Sequence, residues 1–135
     1  MTTPSHAAGP FDVRLTPQAP TPAAESAGLA RMTIAKQFHG DLEAASTGEM
    51  LAFRDAGGQS GGYVALETVR GTLGGRRGTF VLQHSSTMTR GEPTQSVTVV
   101  PDSGTGGLAG LAGRMVIDIG ANGAHAYRFD YTLPE

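Results

Sequence analysis

The sequence predicts an all-β protein, an eight-stranded antiparallel up-and-down barrel. Apolar and polar residues alternate with a period of two along most of the chain, and no apolar stripe occurs at helical spacing. Glycine accounts for 20 of the 135 residues, about twice its usual share, and marks short hairpin connections. A meander of eight strands can close and leave a lumen that holds one small ligand, and a flat two-sheet sandwich is the alternative.

Eight segments carry the alternating pattern, and most are separated by short turns that contain glycine or asparagine. They span residues 11–15, 32–44 with a bend at Gly40, 49–54, 62–70, 78–88, 94–100, 114–119 and 125–133. Residues 1–10 are expected to form a flexible N-terminal tail ahead of a single barrel domain at 11–135. Residues 16–30, rich in proline and alanine, are expected to form a linker within that domain, because they can bury little apolar surface.

Charge and composition exclude several classes of partner. The formal net charge is −2, so no basic field is available to hold a nucleic acid. The absence of cysteine removes disulfides, thiolate nucleophiles and cysteine-ligated metals. No apolar run is long enough for a membrane span or a signal peptide, so a cytoplasmic protein without membrane contact is expected. The sequence leaves open whether the barrel is a monomer or a homo-oligomer.

The hairpin centred on Gly74 and Gly75 predicts which side chains share a face. Its register pairs Glu67 with Leu82 and Ala65 with His84, so Glu67 and His84 are diagonal neighbours on one face. That face also carries Tyr63, Phe80 and Ser86 and is the more aromatic of the two. A carboxylate beside an imidazole on an apolar wall would have the shifted proton affinities that acid–base catalysis needs. A structural ion pair is the alternative.

The last strand has the clearest sidedness in the chain. One face carries aromatic and apolar side chains, at His125, Tyr127, Phe129, Tyr131 and Leu133, and the other is polar. A buried tyrosine hydroxyl there could orient a ligand or hydrogen-bond a developing oxygen charge. The alternative is an aromatic residue that simply fills the barrel.

Three further patterns receive little support. Residues 104–109 match G-x-G-x-x-A, but the following residues are β-patterned, so a flexible connection at a barrel end is favoured over a nucleotide site. His39, His84 and His125 lie on three strands, but His39 shares the polar face of its strand, so no metal site is expected. No G-x-S-x-G elbow is present to support a hydrolase triad.

Three motifs resemble a known bacterial family. GYVALE at 62–67, GTLGGRRGTFVLQH at 71–84 and VVPDSGTGGLAG at 99–110 resemble the family catalogued as domain of unknown function 3224, and residues 125–131 also fit. The resemblance implies an allene oxide cyclase barrel-like fold, which agrees with the strand count. The namesake enzymes cyclise an apolar fatty-acid epoxide in the lumen without a cofactor. No motif here aligns with their site, so the resemblance does not transfer that chemistry.

These observations predict a barrel that binds one small, mostly apolar metabolite in its lumen without a cofactor. Glu67, His84 and Tyr127 are the polar groups expected to orient it, within a wall formed by Tyr63, Phe80, Leu82, His125, Phe129 and Tyr131. One alternative is a cofactor-independent cyclase or isomerase in which Glu67 or His84 moves a proton and Tyr127 hydrogen-bonds the developing charge. Another is a filled barrel that acts only through its surface.

Overall fold

The computed structural model describes residues 2–134 as one closed antiparallel barrel of eight strands. Each strand pairs with the next in sequence, and the last pairs with the first, which confirms the predicted fold class. The strands are β1 (Thr2–Gln18), β2 (Ala30–Phe38), β3 (Leu42–Arg54), β4 (Gly61–Leu73), β5 (Arg76–Thr89), β6 (Glu92–Val99), β7 (Ala112–Ile119) and β8 (His125–Pro134).

The N-terminal residues form part of the barrel wall. Residues 2–10 were predicted as a flexible tail, but they form the first half of β1 and pair with β8 from Thr2–Pro134 to Phe11–His125. The physical reason is the free edge of β8, which β1 covers while burying Ala7 and Phe11 in the lumen. Residues 2–10 have low hydrophobicity, so the sequence pattern did not indicate that they form a strand.

The predicted linker at 16–30 is an ordered connection. Its start continues β1 to Gln18, and α1 (Pro22–Ala27) follows, capped by Thr21, whose Oγ1 accepts a hydrogen bond from Ala24 N at 3.1 Å. Gly28 ends this helix in the left-handed conformation. Neither α1 nor the 3-10 turn at Gly106–Leu108, the helices of the described chain, is long and apolar enough to cross a membrane.

The predicted second strand is two strands. Residues 32–44 include β2, a turn at 39–41 and the start of β3, while residues 45–48, predicted to be a break, lie inside β3. Gly40 makes the turn with φ of 96°, and a side chain there would collide with the backbone of Ala8. The total of eight strands is unaffected because the misplaced turn only moves one boundary.

Two ends of the barrel are distinguished by their connections. The turns after β2 and β4 lie at one end with residues 100–111, and the loops after β3 and β5 lie at the other. Residues 100–111, which include the predicted flexible connection at 104–109, cover the first end, where Leu108 and Leu111 are buried in the core. Gly78 lets this segment approach closely, because a side chain there would collide with the Thr105 carbonyl.

One junction between strands is much shorter than the others. β6 and β7 are paired only at Val97–Met115 and Thr98–Arg114. Beyond these pairs, the Gln95 side chain replaces the backbone ladder: its Oε1 accepts from Ile117 N at 2.7 Å and its Nε2 donates to Ile117 O at 3.3 Å. A side chain therefore completes the wall of the barrel at this junction.

Candidate functional site

A buried polar cluster, formed by Lys36, Ser46, Glu67 and His84, crosses the lumen. The four residues come from four consecutive strands, β2 to β5, and all are less than 9% exposed. Lys36 Nζ lies 2.8 Å from Glu67 Oε1, and His84 Nε2 lies 2.7 Å from the same oxygen. Ser46 Oγ donates to Glu67 Oε2 at 2.6 Å. Glu67 is therefore the centre of the cluster, with three donors on one carboxylate.

The register of the sheet explains this convergence. Lys36 pairs directly with Ser46, and Ala65 with His84, so the two-residue alternation brings all four side chains into the lumen. Gly48 pairs with Glu67 and contributes no side chain to the lumen at that level. The predicted diagonal relation of Glu67 and His84 is present in the structure. Glu67 pairs with Leu82, which is the next inward-facing pair after Ala65 and His84.

The electrostatics of the cluster keep Glu67 ionised. Burial by itself raises the pKa of Glu67, but the hydrogen bond from His84, the charge and hydrogen bond of Lys36, and the hydrogen bond from Ser46 outweigh it. The result is a pKa lowered from 4.5 to about 2. Such a carboxylate is a poor proton acceptor at neutral pH, so it is suited to orient its partners rather than to act as a general base.

Lys36 is held in place on its other side by aromatic rings. Its Nζ lies 5.1 Å from the ring centre of Phe11 and 5.7 Å from that of Phe38. Cation–π attraction at these distances favours the charged ammonium in the interior. The buried Lys36 charge is thus balanced by Glu67 and by two aromatic faces.

On one side of the polar cluster, the lumen is filled. We call this region the filled half, defined by Phe38, Phe80, Tyr127, Phe129 and Leu108, all of which are at most 1% exposed. The rings of Phe80 and Phe129 are stacked with centres 5.9 Å apart, and those of Phe38 and Tyr127 meet edge to face at 5.5 Å. This packing leaves the filled half as hydrophobic core.

On the other side, the lumen opens to solvent through a cavity of about 580 Å³. We call it the mouth cavity, and its wall is mainly apolar, including Leu15, Met32, Met50, Tyr63, Ser86 and Met88. Three of the five methionines in the chain line it, which gives a flexible and polarisable wall. Its volume is within the range of small-molecule sites.

The mouth cavity ends next to the polar cluster. Tyr63 and Ser86 of the cavity wall pair across β4 and β5. The next inward-facing pair on these strands is Ala65 and His84. The Tyr63 and His84 ring centres are 6.4 Å apart. Ser86 Oγ is buried and, within the described part of the chain, is the buried side-chain oxygen or nitrogen that has no hydrogen-bond partner. The deepest part of the cavity thus contains an unsatisfied hydroxyl.

The structure separates the residues that the sequence predicted as the site. Glu67 and His84 come together, and Tyr63 lines the mouth cavity. Tyr127 does not join them: its hydroxyl accepts from Leu42 N at 2.9 Å and donates to His39 O at 2.7 Å. Burial raises the pKa of Tyr127. This tyrosine fastens the β2–β3 turn to the barrel.

The remaining predicted contacts lie away from the mouth cavity. Phe80, Leu82 and Phe129 are part of the filled half, and Tyr131 packs on Phe129 with ring centres 5.2 Å apart. The His125 ring packs on Phe11 at 5.2 Å. The lumen therefore uses these predicted residues mostly as packing.

The histidines considered for a metal site have separate surroundings. His39 lies on the outside of the barrel, 3.6 Å from both Asp12 and Glu43, with its side chain 45% exposed. His84 belongs to the polar cluster, and His125 packs on Phe11.

Sequence reasoning missed Lys36, Ser46 and Ser86 as site residues. Lys36 could have been found, because it shares the apolar face of β2 with Ile34 and Phe38. Ser46 could not, since residues 45–48 lay between two predicted strands and were assigned to neither. Ser86 was assigned to the inward face but given no role, because a lone serine carries no pattern of its own.

Comparisons with known proteins support the same family as the motifs. The model of the family described as "Protein of unknown function (DUF3224)" matches residues 7–131. A crystal structure of a DUF3224 protein with unknown function from Shewanella oneidensis MR-1 has 46% sequence identity and a TM-score of 0.90. The alignment covers 98% of this chain and 99% of that one. No curated protein matches the sequence. The chain belongs to the DUF3224 family.

Proposed function

We propose that the protein binds one small, mostly apolar molecule in the mouth cavity. The observation that carries the proposal is the contrast inside one lumen: rings fill one half, while the other half keeps about 580 Å³ of space walled by apolar side chains. A barrel under no demand to hold a guest would be expected to fill both halves, since close packing stabilises the fold.

The wall of the mouth cavity suits an apolar guest. Met32, Met50, Met88 and Leu15 are apolar, and Tyr63 offers an aromatic face. Arg54 is the single charged residue of the lining. Because few polar groups compete, binding would derive mainly from the apolar area removed from water.

Cyclase or isomerase activity is the weaker candidate. Glu67 has three donors on its carboxylate and a pKa of about 2, so it lacks the proton affinity that a general base requires. The Tyr127 hydroxyl donates its hydrogen bond to the backbone carbonyl of His39 in the β2–β3 turn. Of the two alternative proton carriers only His84 remains, and Tyr127 is already engaged with the backbone.

The test uses two substitutions at adjacent serines of β5. Ser86→Phe places a ring in the mouth cavity, whereas Ser85→Phe places the same ring on the exposed outer face of the same strand. The probe is the neutral dye N-phenyl-1-naphthylamine, titrated by fluorescence. We expect saturable binding to the unmodified protein at one dye per barrel, weakened at least about tenfold by Ser86→Phe and unchanged by Ser85→Phe. No saturable binding, or equal binding by both variants, would contradict the proposal.

A further inference from the structure

Two polar atoms at or next to the deep end of the mouth cavity form no hydrogen bond within the described part of the protein: Ser86 lines the cavity, and His84 occupies the next inward-facing position on β5. One is Ser86 Oγ, which is buried without a partner. The other is His84 Nδ1, because the hydrogen bond of that ring uses Nε2 and joins it to Glu67. Both residues lie on β5, two positions apart, so both side chains face the lumen.

The polar cluster fixes which ring nitrogen of His84 carries the proton. An ionised carboxylate only accepts hydrogen bonds, so His84 Nε2, 2.7 Å from Glu67 Oε1, must be the donor. Lys36 already neutralises Glu67 at 2.8 Å, so a second buried positive charge on His84 would have no counter-charge. In the resulting neutral ring, Nδ1 is an acceptor with a free lone pair.

The two atoms therefore differ in the hydrogen bonds that they can form with a ligand. His84 Nδ1 can only accept a hydrogen bond, whereas Ser86 Oγ can donate or accept one. A hydroxyl group satisfies both, by donating to Nδ1 and accepting from Ser86. An ether or a carboxylate cannot donate to Nδ1 and would leave it unsatisfied, which is costly in a buried place.

We infer that Ser86 and His84 form a hydrogen-bonding subsite at the floor of the mouth cavity, and that the preferred ligand is an apolar molecule bearing a hydroxyl group, such as a phenol or an alcohol. This inference rests on the proposed function, since it requires a guest in the cavity. Glu67 and Lys36 are positioning residues in it: they hold the His84 ring and its tautomer without touching the ligand.

The first experiment compares two probes that differ in one hydroxyl hydrogen. 1-Naphthol and 1-methoxynaphthalene compete with N-phenyl-1-naphthylamine for the unmodified protein at neutral pH. We expect 1-naphthol to bind about tenfold more tightly, because only its hydroxyl can donate a hydrogen bond to His84 Nδ1. Both probe oxygens can accept from Ser86, so Ser86→Ala should weaken the binding of both about threefold, and Ser85→Ala, on the outer face, should leave both affinities unchanged.

The outcomes separate the subsite from the proposed function. If neither the dye nor 1-methoxynaphthalene binds, the mouth cavity takes no apolar guest and both proposals fail. If the two naphthalenes bind equally well, the cavity binds apolar molecules but the subsite does not exist. Ser86 Oγ makes no hydrogen bond in the structure, so Ser86→Ala is expected to fold normally and to keep the comparison usable.

A second experiment observes His84 directly. In nitrogen-15 NMR spectra, we expect His84 to show an unprotonated Nδ1 and a protonated Nε2, with the Nδ1 signal shifting on addition of 1-naphthol and not of 1-methoxynaphthalene. His84→Phe, of similar volume, should remove the preference for 1-naphthol. A His84 ring protonated on both nitrogens, or an Nδ1 signal that ignores 1-naphthol, would overturn the inference.

Discussion

The filled half and the mouth cavity are built by the same strands, yet they contain different side chains. β2 contributes Phe38 to the filled half and Met32 to the cavity, and β5 contributes Phe80 to the first and Ser86 to the second. Rings are replaced by flexible or small side chains as the strands approach the open end. The difference teaches that the space in this barrel results from the choice of side chains and not from strand number, which is the same throughout.

The polar cluster lies at the boundary between these two regions. A charged pair in the middle of a lumen would be costly if each partner were left without its donors or acceptors. Here Glu67 is bonded to three residues and Lys36 is flanked by two rings. The charges at the boundary are therefore balanced by neighbouring side chains in the lumen, and the cluster can hold His84 next to the deep end of the cavity.

The largest expected effect is at that boundary. Glu67→Gln removes the negative charge that lies 2.8 Å from Lys36 in the lumen and should lower the free energy of unfolding by about 3 to 5 kcal/mol, measured by urea denaturation. Glu49→Gln is the control, because Glu49 lies on the outer face of β3 and pairs with Arg31 at 3.0 Å, where little is expected. A loss for Glu67→Gln no larger than for Glu49→Gln would show that the cluster does not support the fold.

The same variant also tests how the free energy of unfolding depends on pH. The pKa of Glu67 is lowered from 4.5 to about 2 on folding, so its contribution of about 3 kcal/mol is complete above pH 4.5 and is lost as the pH falls toward 2. We expect the unmodified protein to lose stability more steeply than Glu67→Gln over this interval. Parallel curves for the two proteins would contradict the assignment.

The next prediction compares the stability lost on a methionine-to-alanine substitution in each of the two regions. Met115→Ala empties part of the filled half, where Met115 is 1% exposed, and should cost about 3 kcal/mol. Met50→Ala only enlarges a space that is already open and should cost about 1 kcal/mol. Equal losses in thermal or urea unfolding would mean that the mouth cavity is packed as tightly as the core.

The smallest expected effect concerns Tyr127. Tyr127→Phe leaves the backbone amide of Leu42 without its acceptor and should cost about 1 to 2 kcal/mol of stability. Affinity for N-phenyl-1-naphthylamine should not change, because Tyr127 lies in the filled half. Tyr63→Phe, in the cavity wall, is the control for removal of a tyrosine hydroxyl. A large drop in dye affinity for Tyr127→Phe with stability intact would restore Tyr127 to the site.

The sequence allowed the fold and the central pair of the site to be predicted. The glycines at 74 and 75 fix a tight turn, so the register across β4 and β5 follows from counting residues, and Glu67 and His84 meet as expected. These predictions depend on local geometry, which one strand pair determines.

Features that depend on distant parts of the chain could not be predicted. Residues 2–10 are a strand because β8, more than 100 positions later, needs a partner. The sequence predicted a bend at Gly40, but the separation of two strands there depends on contacts with Ala8 and Tyr127, which are remote in sequence. Which inward-facing residues fill the lumen and which line a space depends on how all eight strands tilt, so Phe80 and Ser86 appeared equivalent on one face.

The junction between β6 and β7 makes the ring of strands uneven. The β6–β7 junction is the least paired of the eight, and the side-chain amide of Gln95 takes the place of backbone hydrogen bonds there. Rotation of that single side chain would remove both hydrogen bonds to Ile117 and leave β6 and β7 joined by two residue pairs. Gln95 also lines the mouth cavity, so the least paired junction of the barrel borders the proposed ligand site.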